Sequence, residues 1–273
     1  MPLLTTGASV AVGALLVPVL TSVLRHVRLS RPNYRGRAAV FPTGLVLLGG
    51  SLGAVLTLSA LAVLPPSLAA AVPLLVGVAL LGLVDDLAPE AGPRGVRCHL
   101  RAAAAGRPSA GVVKGGGTFV LAVLACAQPA LRGAGGALES VLLPAALVTL
   151  GAHVFNLIDL RPGRSIKALG LLGGGLTVAT LDFGPLISLA PFLGPVAALA
   201  PLDLRERGML GDTGSGLLGA VAGLWLVLAL GAGAQLGALG LLILAATYGE
   251  FRSLSALVER VPLLRGLDSL GRI

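Results

Sequence analysis

Four aspartates have the residue type and the position to do chemistry. Asp85 and Asp86 lie in the stretch LVDDL, Asp159 lies in FNLIDLRPGR, and Asp212 lies in MLGDTGSG, each at the end of a long apolar run. A carboxylate beside a bilayer is costly unless it is paired, hydrated or bound to a cation. If the three stretches share one membrane face, we expect them to form a single acidic pocket that binds a cation.

The adjacent carboxylates of Asp85 and Asp86 can divide two tasks at the end of a helix. One can bind a metal ion or its water ligands, while the other accepts a proton. Mg²⁺ needs only one or two carboxylates when water and substrate phosphates complete its coordination. The alternative is a helix end with two solvated acids beside Arg94 and Arg97.

The stretch GDTGSG combines an acid with residues that suit phosphate. Gly211, Gly214 and Gly216 permit a tight turn, from which Asp212 projects just before a helix. A helix N-terminus with Ser215 beside it suits phosphate oxygens, and the carboxylate suits a bridging cation. The alternative is that Asp212 and Ser215 only cap the helix.

The third stretch carries three polar residues at three-residue spacing, roughly on one helical face: His153, Asn156 and Asp159. Polar residues at this depth usually face a bundle interior or a cavity. The amide of Asn156 can donate and accept, which suits the edge of a base or a sugar. Three basic residues follow that can neutralise phosphate: Arg161, Arg164 and Lys167. Alternatively, they are simple signals of membrane topology.

The composition indicates a membrane protein. Of 273 residues, 55% are hydrophobic and only 12% are charged, and the mean hydropathy is +0.94. Soluble domains are about 45–50% apolar and about 25% charged. The net charge of +8 does not indicate a nucleic-acid partner, because basic residues collect in the cytoplasmic loops of membrane proteins and aromatic residues are only 3%.

The apolar runs predict an all-α polytopic bundle over residues 1–249 with about nine transmembrane helices. The abundant glycines, 40 in all, favour close helix packing in lipid. The predicted spans are 3–24, 39–63, 67–84, 116–131, 139–157, 168–181, 184–202, 215–231 and 234–249.

Nineteen of the 20 basic residues fall in alternate loops, and only Arg132 falls on the other side. The positive-inside rule therefore places the N-terminus outside and the four aspartates on the cytoplasmic side. In the cytoplasmic tail 250–273, apolar residues recur at helical spacing among charges, which predicts an amphipathic interfacial helix. The alternative is that this tail packs on the cytoplasmic ends of the bundle.

The stretches LVDDL, Asn156-Leu-Ile-Asp159 and Gly211-Asp-Thr-Gly-Ser215 together resemble motifs of a known family, and in the same order. That family is the polyprenyl-phosphate N-acetylhexosamine-1-phosphate transferases, glycosyltransferase family 4, which includes phospho-N-acetylmuramoyl-pentapeptide transferase. The resemblance covers most of the chain. It implies transfer of a sugar-1-phosphate from a UDP-N-acetylhexosamine to polyprenyl phosphate, with Mg²⁺ or Mn²⁺, in the bacterial plasma membrane. The products would be UMP and a lipid-linked sugar for cell-envelope polymers.

The resemblance also implies roles for individual residues. Asp212 would be the main Mg²⁺ ligand, while Asp85 and Asp86 would bind the lipid phosphate or remove its proton, Asp86 helping to hold the metal. The nucleotide sugar would be held by Asn156 and Asp159. Lys114 would contact a phosphate of the substrate, and Gly211 and Ser215 would also contact substrate.

The chain departs from the family after Asp159, where Leu160–Arg164 replaces a glycine and a second Asp-Gly. The family's cytosolic histidine cluster and its last helix are also missing, and Arg161 and Arg164 would supply the positive charge instead. Two other functions stay open: a non-catalytic relative that binds polyprenyl phosphate or nucleotide sugar, and an ion-coupled transporter with acids near the midplane. The identity of the UDP-sugar and the choice between monomer and homodimer are also open.

Overall fold

A computed structural model describes residues 2–87, 110–133, 135–252 and 254–271. These residues form eleven α-helices, one π-helical turn and one two-stranded hairpin. The helices are α1 Pro2–His26, α2 Gly44–Ala60, α3 Pro66–Leu87, α4 Ala110–Cys126, α5 Leu143–Ile158, α6 Arg164–Thr180, α7 Gly184–Leu204, α8 Gly211–Ala229, α9 Ala232–Phe251, α10 Leu254–Arg260 and α11 Pro262–Ser269. The π turn Leu138–Leu142 leads into α5, and the hairpin pairs β1 Ser30–Pro32 with β2 Ala38–Val40.

The chain is an all-α membrane protein. Six helices in the described part of the chain are long and apolar enough to cross a bilayer: α1, α3, α5 with its π turn, α7, α8 and α9. Two more, α2 and α4, are apolar but shorter, and α6 is the least apolar of the long helices. Each of the nine predicted apolar runs overlaps a helix, so the sequence predicted the approximate positions of these helices.

The boundaries differ from the prediction at three helices. The run 39–63 begins in a strand, and its helix starts only at Gly44. The helix predicted at 116–131 is displaced towards the N-terminus, so Lys114 lies inside α4 rather than ahead of it. Asp212 likewise lies in the first turn of α8 rather than in a preceding loop. Four arginines of the predicted loop 85–115 lie outside the described residues: Arg94, Arg97, Arg101 and Arg107.

Helix α8 is the centre of the bundle. Every side chain from Thr213 to Leu226 is buried, as expected for a helix that is apolar on all faces. It contacts α2, α3, α5, α6, α7 and α9. The helix that begins with GDTGSG is therefore fixed by neighbours on all sides, and its first turn has a defined position.

Small residues let α5 approach α8 closely. Gly219 and Gly223 form a small-xxx-small pair on α8. A Cβ at Gly223 would lie 2.5 Å from the Cα of Val148, and one at Gly151 would lie 2.6 Å from the carbonyl oxygen of Gly219. These glycines let the two backbones touch, which confirms the predicted use of glycine for close packing.

Two features differ in kind from the prediction. The hairpin β1–β2 was not predicted in the loop 25–38, and its turn is held by Asn33, whose side-chain oxygen accepts the N–H groups of Arg35 and Arg37 at 2.9 and 3.0 Å. The C-terminal segment forms two short helices, α10 and α11, where one amphipathic helix was predicted. Pro262 begins the second of them, since proline favours the first turn of a helix.

Candidate functional site

Three helix ends and the first turns of α4 meet at one end of the bundle, where α3 and α5 finish and α8 begins. They bring together five of the polar residues singled out in the sequence: Asp85, Lys114, Asn156, Asp212 and Ser215. These residues come from four helices and are separated by up to 130 positions in the chain. The lateral proximity that the motifs required is therefore present.

The ammonium group of Lys114 binds two carboxylates. Its Nζ forms an ion pair with Oδ2 of Asp212 and a longer one, 3.4 Å, with Oδ2 of Asp85. The Lys114 side chain is 16% exposed, whereas those of Asp85 and Asp212 are 30% and 40% exposed. The carboxylates of Asp85 and Asp212 therefore converge on the ammonium group of Lys114, and both remain accessible to solvent.

Asn156 links the same aspartate to the second turn of α8. Its amide nitrogen lies 3.5 Å from Oδ2 of Asp212, and its amide oxygen accepts a hydrogen bond from the hydroxyl of Ser215. That hydroxyl also reaches the carbonyl oxygen of Gly211 at 2.9 Å. Asn156 is thus oriented by two partners, with its donor group directed at the Asp212 carboxylate.

Asp86 has a different environment from its neighbour Asp85. It is 5% exposed, and its two carboxylate oxygens accept the backbone N–H groups of Asp212 and Thr213 at 2.8 and 2.9 Å. The hydroxyl of Thr213 donates to it as well. Asp86 therefore caps the N-terminus of α8 from another helix. These contacts favour a structural role for Asp86 over the predicted catalytic and metal-binding roles.

Gly211 provides the space for this cap. Its φ is +70°, and a Cβ there would lie 2.6 and 2.8 Å from the carboxylate oxygens of Asp86. A Cβ at Gly82, one turn before Asp86 on α3, would collide with the carbonyl of Asp212. Gly211 was predicted to contact substrate. The close approach of α3 to the start of α8 gives a different reason for a glycine at this position.

Asp159 ends α5 and lies beside a second acid, Asp203 on α7. Burial, followed by the negative charge of Asp203, raises the pKa of Asp159 well above its ordinary value. Asp203 itself accepts the N–H of Gly163 at 2.7 Å, which fixes the loop between α5 and α6. Asp159 therefore lies at the edge of the cluster in a setting that favours its protonated form.

The basic residues that follow Asp159 bind the C-terminal tail. Arg164 forms a bidentate ion pair with Asp268, at 2.8 and 3.1 Å, and donates to the hydroxyl of Ser255. Arg161 pairs with Glu259 at 3.2 Å. The Nζ of Lys167 donates to backbone carbonyls at the end of α11. Both arginines were predicted to contact substrate, and here they hold α10 and α11 against the bundle.

The donor set suits a small hard cation, although it is sparse. No group of three or more His, Cys, Asp or Glu side chains is placed to hold a metal within the described ranges. Asp85 and Asp212 nevertheless aim carboxylates at one point, and Mg²⁺ needs only one or two carboxylates beside water and phosphate oxygens. The residues fit Mg²⁺ with Asp85, rather than Asp86, as the partner of Asp212.

One contact of the site had no signal in the sequence. The guanidinium of Arg31, in β1, donates to the backbone carbonyl of Asp86 at 2.6 Å and lies 4.4 Å from the ring centroid of Phe41. The hairpin is thereby attached to the end of α3. The turn residues Asn33 and Gly36 could have indicated the hairpin, but not which carbonyl its arginine binds.

An apolar groove runs between α3 and α4 directly beside the carboxylate cluster. It has a volume of about 510 Å³ and is open on one side. It reaches Val84, next to Asp85, on one wall and Gly116, two residues after Lys114, on the other. The remaining lining residues are also apolar or glycine: Gly77, Leu80, Leu81, Gly117, Val120 and Leu121. An acyl or prenyl chain in this groove would end at the polar cluster.

Comparison with known proteins gives no family. No protein-family model matches the chain, and no curated protein is significantly similar to it. The resemblance to transferase motifs therefore stays a prediction, and the case for a function depends on the cluster and the groove.

Proposed function

We propose that this chain is a multi-pass membrane phosphotransferase. It would transfer a sugar-1-phosphate from a UDP-N-acetylhexosamine-type donor to polyprenyl phosphate, giving a polyprenyl-diphospho-sugar and UMP for cell-envelope polymer synthesis. Mg²⁺, or Mn²⁺ in its place, would be held by Asp85 and Asp212. The motif resemblance named the reaction, and the geometry of the site supports it.

One observation carries the proposal: Asp85, Lys114, Asn156 and Asp212 meet at the end of the bundle although they come from four helices. Two carboxylates, one ammonium group and one amide form a polar site at the edge of apolar helices. Pairing with Lys114 offsets the cost of the two carboxylates there, and ionisable groups beside apolar helices commonly mark substrate or ion sites. Phosphoryl transfer depends mainly on positioning and charge neutralisation, and this donor set can provide both.

The apolar groove supports a lipid acceptor. It opens along α3 and α4, which are apolar helices, and its lining reaches Val84 and Gly116, which lie one residue from Asp85 and two residues from Lys114 in the chain. A prenyl chain in the groove would place its phosphate at the ammonium group of Lys114. Burial of a prenyl chain against the apolar side chains and glycines of the groove would be favourable.

The reaction assigns a task to each residue. A phosphate oxygen of the lipid forms a bond to the phosphorus that carries the sugar, the bond from that phosphorus to the bridging oxygen breaks, and UMP leaves with the electron pair. Asp85 accepts the proton of the lipid phosphate, and Lys114 binds its oxygens. Asn156, oriented by Ser215, holds the nucleotide sugar. Mg²⁺, when bound, neutralises charge on the transferred group.

The proposed topology has nine spans, with the N-terminus outside and the site on the cytoplasmic side of the bacterial plasma membrane. The support is the distribution of basic residues, 19 of 20 in alternate loops of the predicted topology. Contacts between those loops agree with it: Tyr34 of the hairpin donates to Glu206, and its ring lies 5.3 Å from the guanidinium of Arg161. Segments assigned to one side thus meet at one end of the bundle.

Release of UMP tests the proposal. The purified chain in detergent is given Mg²⁺, undecaprenyl phosphate and each of a panel of UDP-sugars, and UMP is measured against a reaction without lipid. Lipid-dependent release with at least one sugar is expected. Binding of a UDP-sugar or of the lipid without any release would instead favour the non-catalytic relative. Uptake of an ion into vesicles, with neither binding nor release, would favour the transporter.

A further inference from the structure

A basic cleft lies on the outer side of the hairpin. Its volume is about 930 Å³, and its walls come from the end of α1, the hairpin β1–β2 and the loop between α7 and α8. Five of its eleven lining residues are arginines: Arg25, Arg28, Arg37, Arg205 and Arg207. Glu206 is the one acid among the lining residues, so the cleft has an excess of four positive charges.

The backbone fixes the walls of this cleft. Val40 of β2 donates to the carbonyl of Arg207 at 3.0 Å and accepts the N–H of Met209 at 2.9 Å. The N–H of Phe41 donates to the carbonyl of Leu29, at 3.2 Å. Hydrogen bonds between backbones therefore join the segments that carry the arginines around the cavity.

The five arginines of the cleft are not paired with a carboxylate in the described part of the chain. Across residues 2–87, 110–133, 135–252 and 254–271, none of the five guanidinium groups forms an ion pair or a side-chain hydrogen bond. The carboxylate of Glu206 is buried, and its Oε1 accepts the hydroxyl of Tyr34 at 2.7 Å and lies 3.4 Å from the guanidinium of Arg35. Its Oε2 has no hydrogen-bond partner among the described residues.

We propose that this cleft binds a phosphate-bearing anion, separately from the transfer site. Guanidinium groups match the planar, bidentate geometry of phosphate oxygens better than any other side chain. The volume is in the range of small-molecule sites, so the cleft has room for a ligand larger than a single phosphate ion. It is the phosphate of an anionic lipid headgroup or of a soluble phosphate ester, and these two sources share the same recognition.

The hairpin separates the cleft from the carboxylate cluster. Neighbouring residues of a strand point to opposite faces. Ser30 lines the cleft, while the next residue, Arg31, donates to the carbonyl of Asp86. A ligand in the cleft would therefore contact one face of β1, and the end of α3 is attached to the other. The site proposed here does not depend on the transfer reaction, although the two are neighbours.

Direct binding tests the proposal on the full chain in detergent, with EDTA present so that no metal bridges an anion to the carboxylates. The probes are inorganic pyrophosphate and water-soluble dihexanoyl phosphatidylglycerol, with dihexanoyl phosphatidylcholine as the zwitterionic comparison. The cleft variant is Arg25→Gln with Arg207→Gln, which removes a charge from two walls. The control is Arg260→Gln with Arg265→Gln, two exposed tail arginines whose loss changes the net charge equally.

We expect saturable binding of one anionic probe, weakened about tenfold or more by the cleft variant and unchanged by the tail variant, since a charge-assisted hydrogen bond contributes on the order of one tenfold step. Tighter binding of phosphatidylglycerol would identify the ligand as a lipid headgroup. Tighter binding of pyrophosphate would identify it as a soluble phosphate ester. Asp212→Asn is expected to leave binding unchanged, which separates this site from the transfer site. The proposal is wrong if neither anion binds, or if both double variants weaken binding equally.

Discussion

The carboxylate of Asp86 accepts the backbone N–H of Asp212 at 2.8 Å, so the end of α3 caps the helix that carries the proposed metal ligand. Two aspartates that looked equivalent in the motif LVDDL thus have different tasks. Asp86 fixes the position of Asp212, whereas Asp85 shares the ammonium group of Lys114 with it. The sequence analysis divided the two acids between a metal and a proton, whereas their contacts divide them between capping α8 and pairing with Lys114.

We predict that Asp86→Asn lowers the stability of the protein by about 1–3 kcal/mol, because an amide nitrogen would then face backbone N–H groups that are left without an acceptor. Asp85→Asn is the matched control, since the backbone N–H groups of Asp212 and Thr213 at the start of α8 donate to the carboxylate of Asp86. Thermal unfolding in detergent measures both variants. A stable Asp86→Asn protein that needs more Mg²⁺ for turnover would show that Asp86 is a metal ligand after all.

Asp212→Asn should lower UMP release by about a hundredfold or more, because several kcal/mol of charge stabilisation in the transition state is lost. The fold should persist, since the backbone N–H of residue 212 that Asp86 caps is unchanged. Glu139→Gln removes an exposed carboxylate from the π turn and serves as the control. Turnover of Asp212→Asn at the wild-type rate, with the same Mg²⁺ dependence, would remove the metal role from this residue.

The sequence predicted the helices and most of the cluster, because both depend on local signals. Apolar length located each helix, and the three motifs placed acids at helix ends that the bundle then brings together. The proximity of Lys114 to Asp212 could be expected on the basis of the motif resemblance alone. The cap formed by Asp86 could not, because it requires the backbone of α8 to approach α3 across Gly82 and Gly211.

Contacts between distant loops could not be predicted from the sequence for a similar reason. Arg161 and Arg164 were interpreted as phosphate ligands from their charge and position, but Glu259 and Asp268 compete for them. Those acids lie about 100 residues further along the chain, in a tail whose apolar spacing indicated only a surface helix. Charge alone does not reveal which of several partners an arginine binds.

Filling the apolar groove should weaken binding of the lipid acceptor. A Cβ at Gly116 would meet nothing within 4 Å, and Gly116 lines the groove, so we expect Gly116→Leu to add bulk to the groove. Overfilling a binding site costs about 1–3 kcal/mol, so we expect the KM for undecaprenyl phosphate to rise roughly tenfold with the KM for the UDP-sugar unchanged. Gly170→Leu, at an exposed glycine of α6 with equally open surroundings, is the control. An unchanged lipid KM in Gly116→Leu would place the acceptor elsewhere.

The acid pair Asp159 and Asp203 predicts a dependence of stability on pH. Because burial and Asp203 raise the pKa of Asp159 above its ordinary value of 3.8, the folded protein holds this proton where the unfolded chain has released it. The contribution to stability is therefore complete below that ordinary value and is lost as the pH rises through the raised pKa. Asp159→Asn abolishes this titration while keeping the shape of the side chain.

The melting temperature of Asp159→Asn, relative to wild type, should therefore increase from about pH 4 to about pH 8. A constant difference between Asp159→Asn and wild type over this range would mean that Asp159 is ionised in the folded protein at all of these pH values.

The ion pair of Arg164 with Asp268 decides between two functions for Arg164. Its side chain is 6% exposed, and breaking a buried pair by removing one partner costs about 3–5 kcal/mol. We predict that Arg164→Met and Asp268→Asn both release α10 and α11, which trypsin detects as faster cleavage after Arg252 and Arg260. If Arg164 serves only the tail, the two variants will have the same KM for the UDP-sugar. A higher KM in Arg164→Met alone would instead assign it to the donor phosphates, because Asp268→Asn frees the tail while leaving the guanidinium in place.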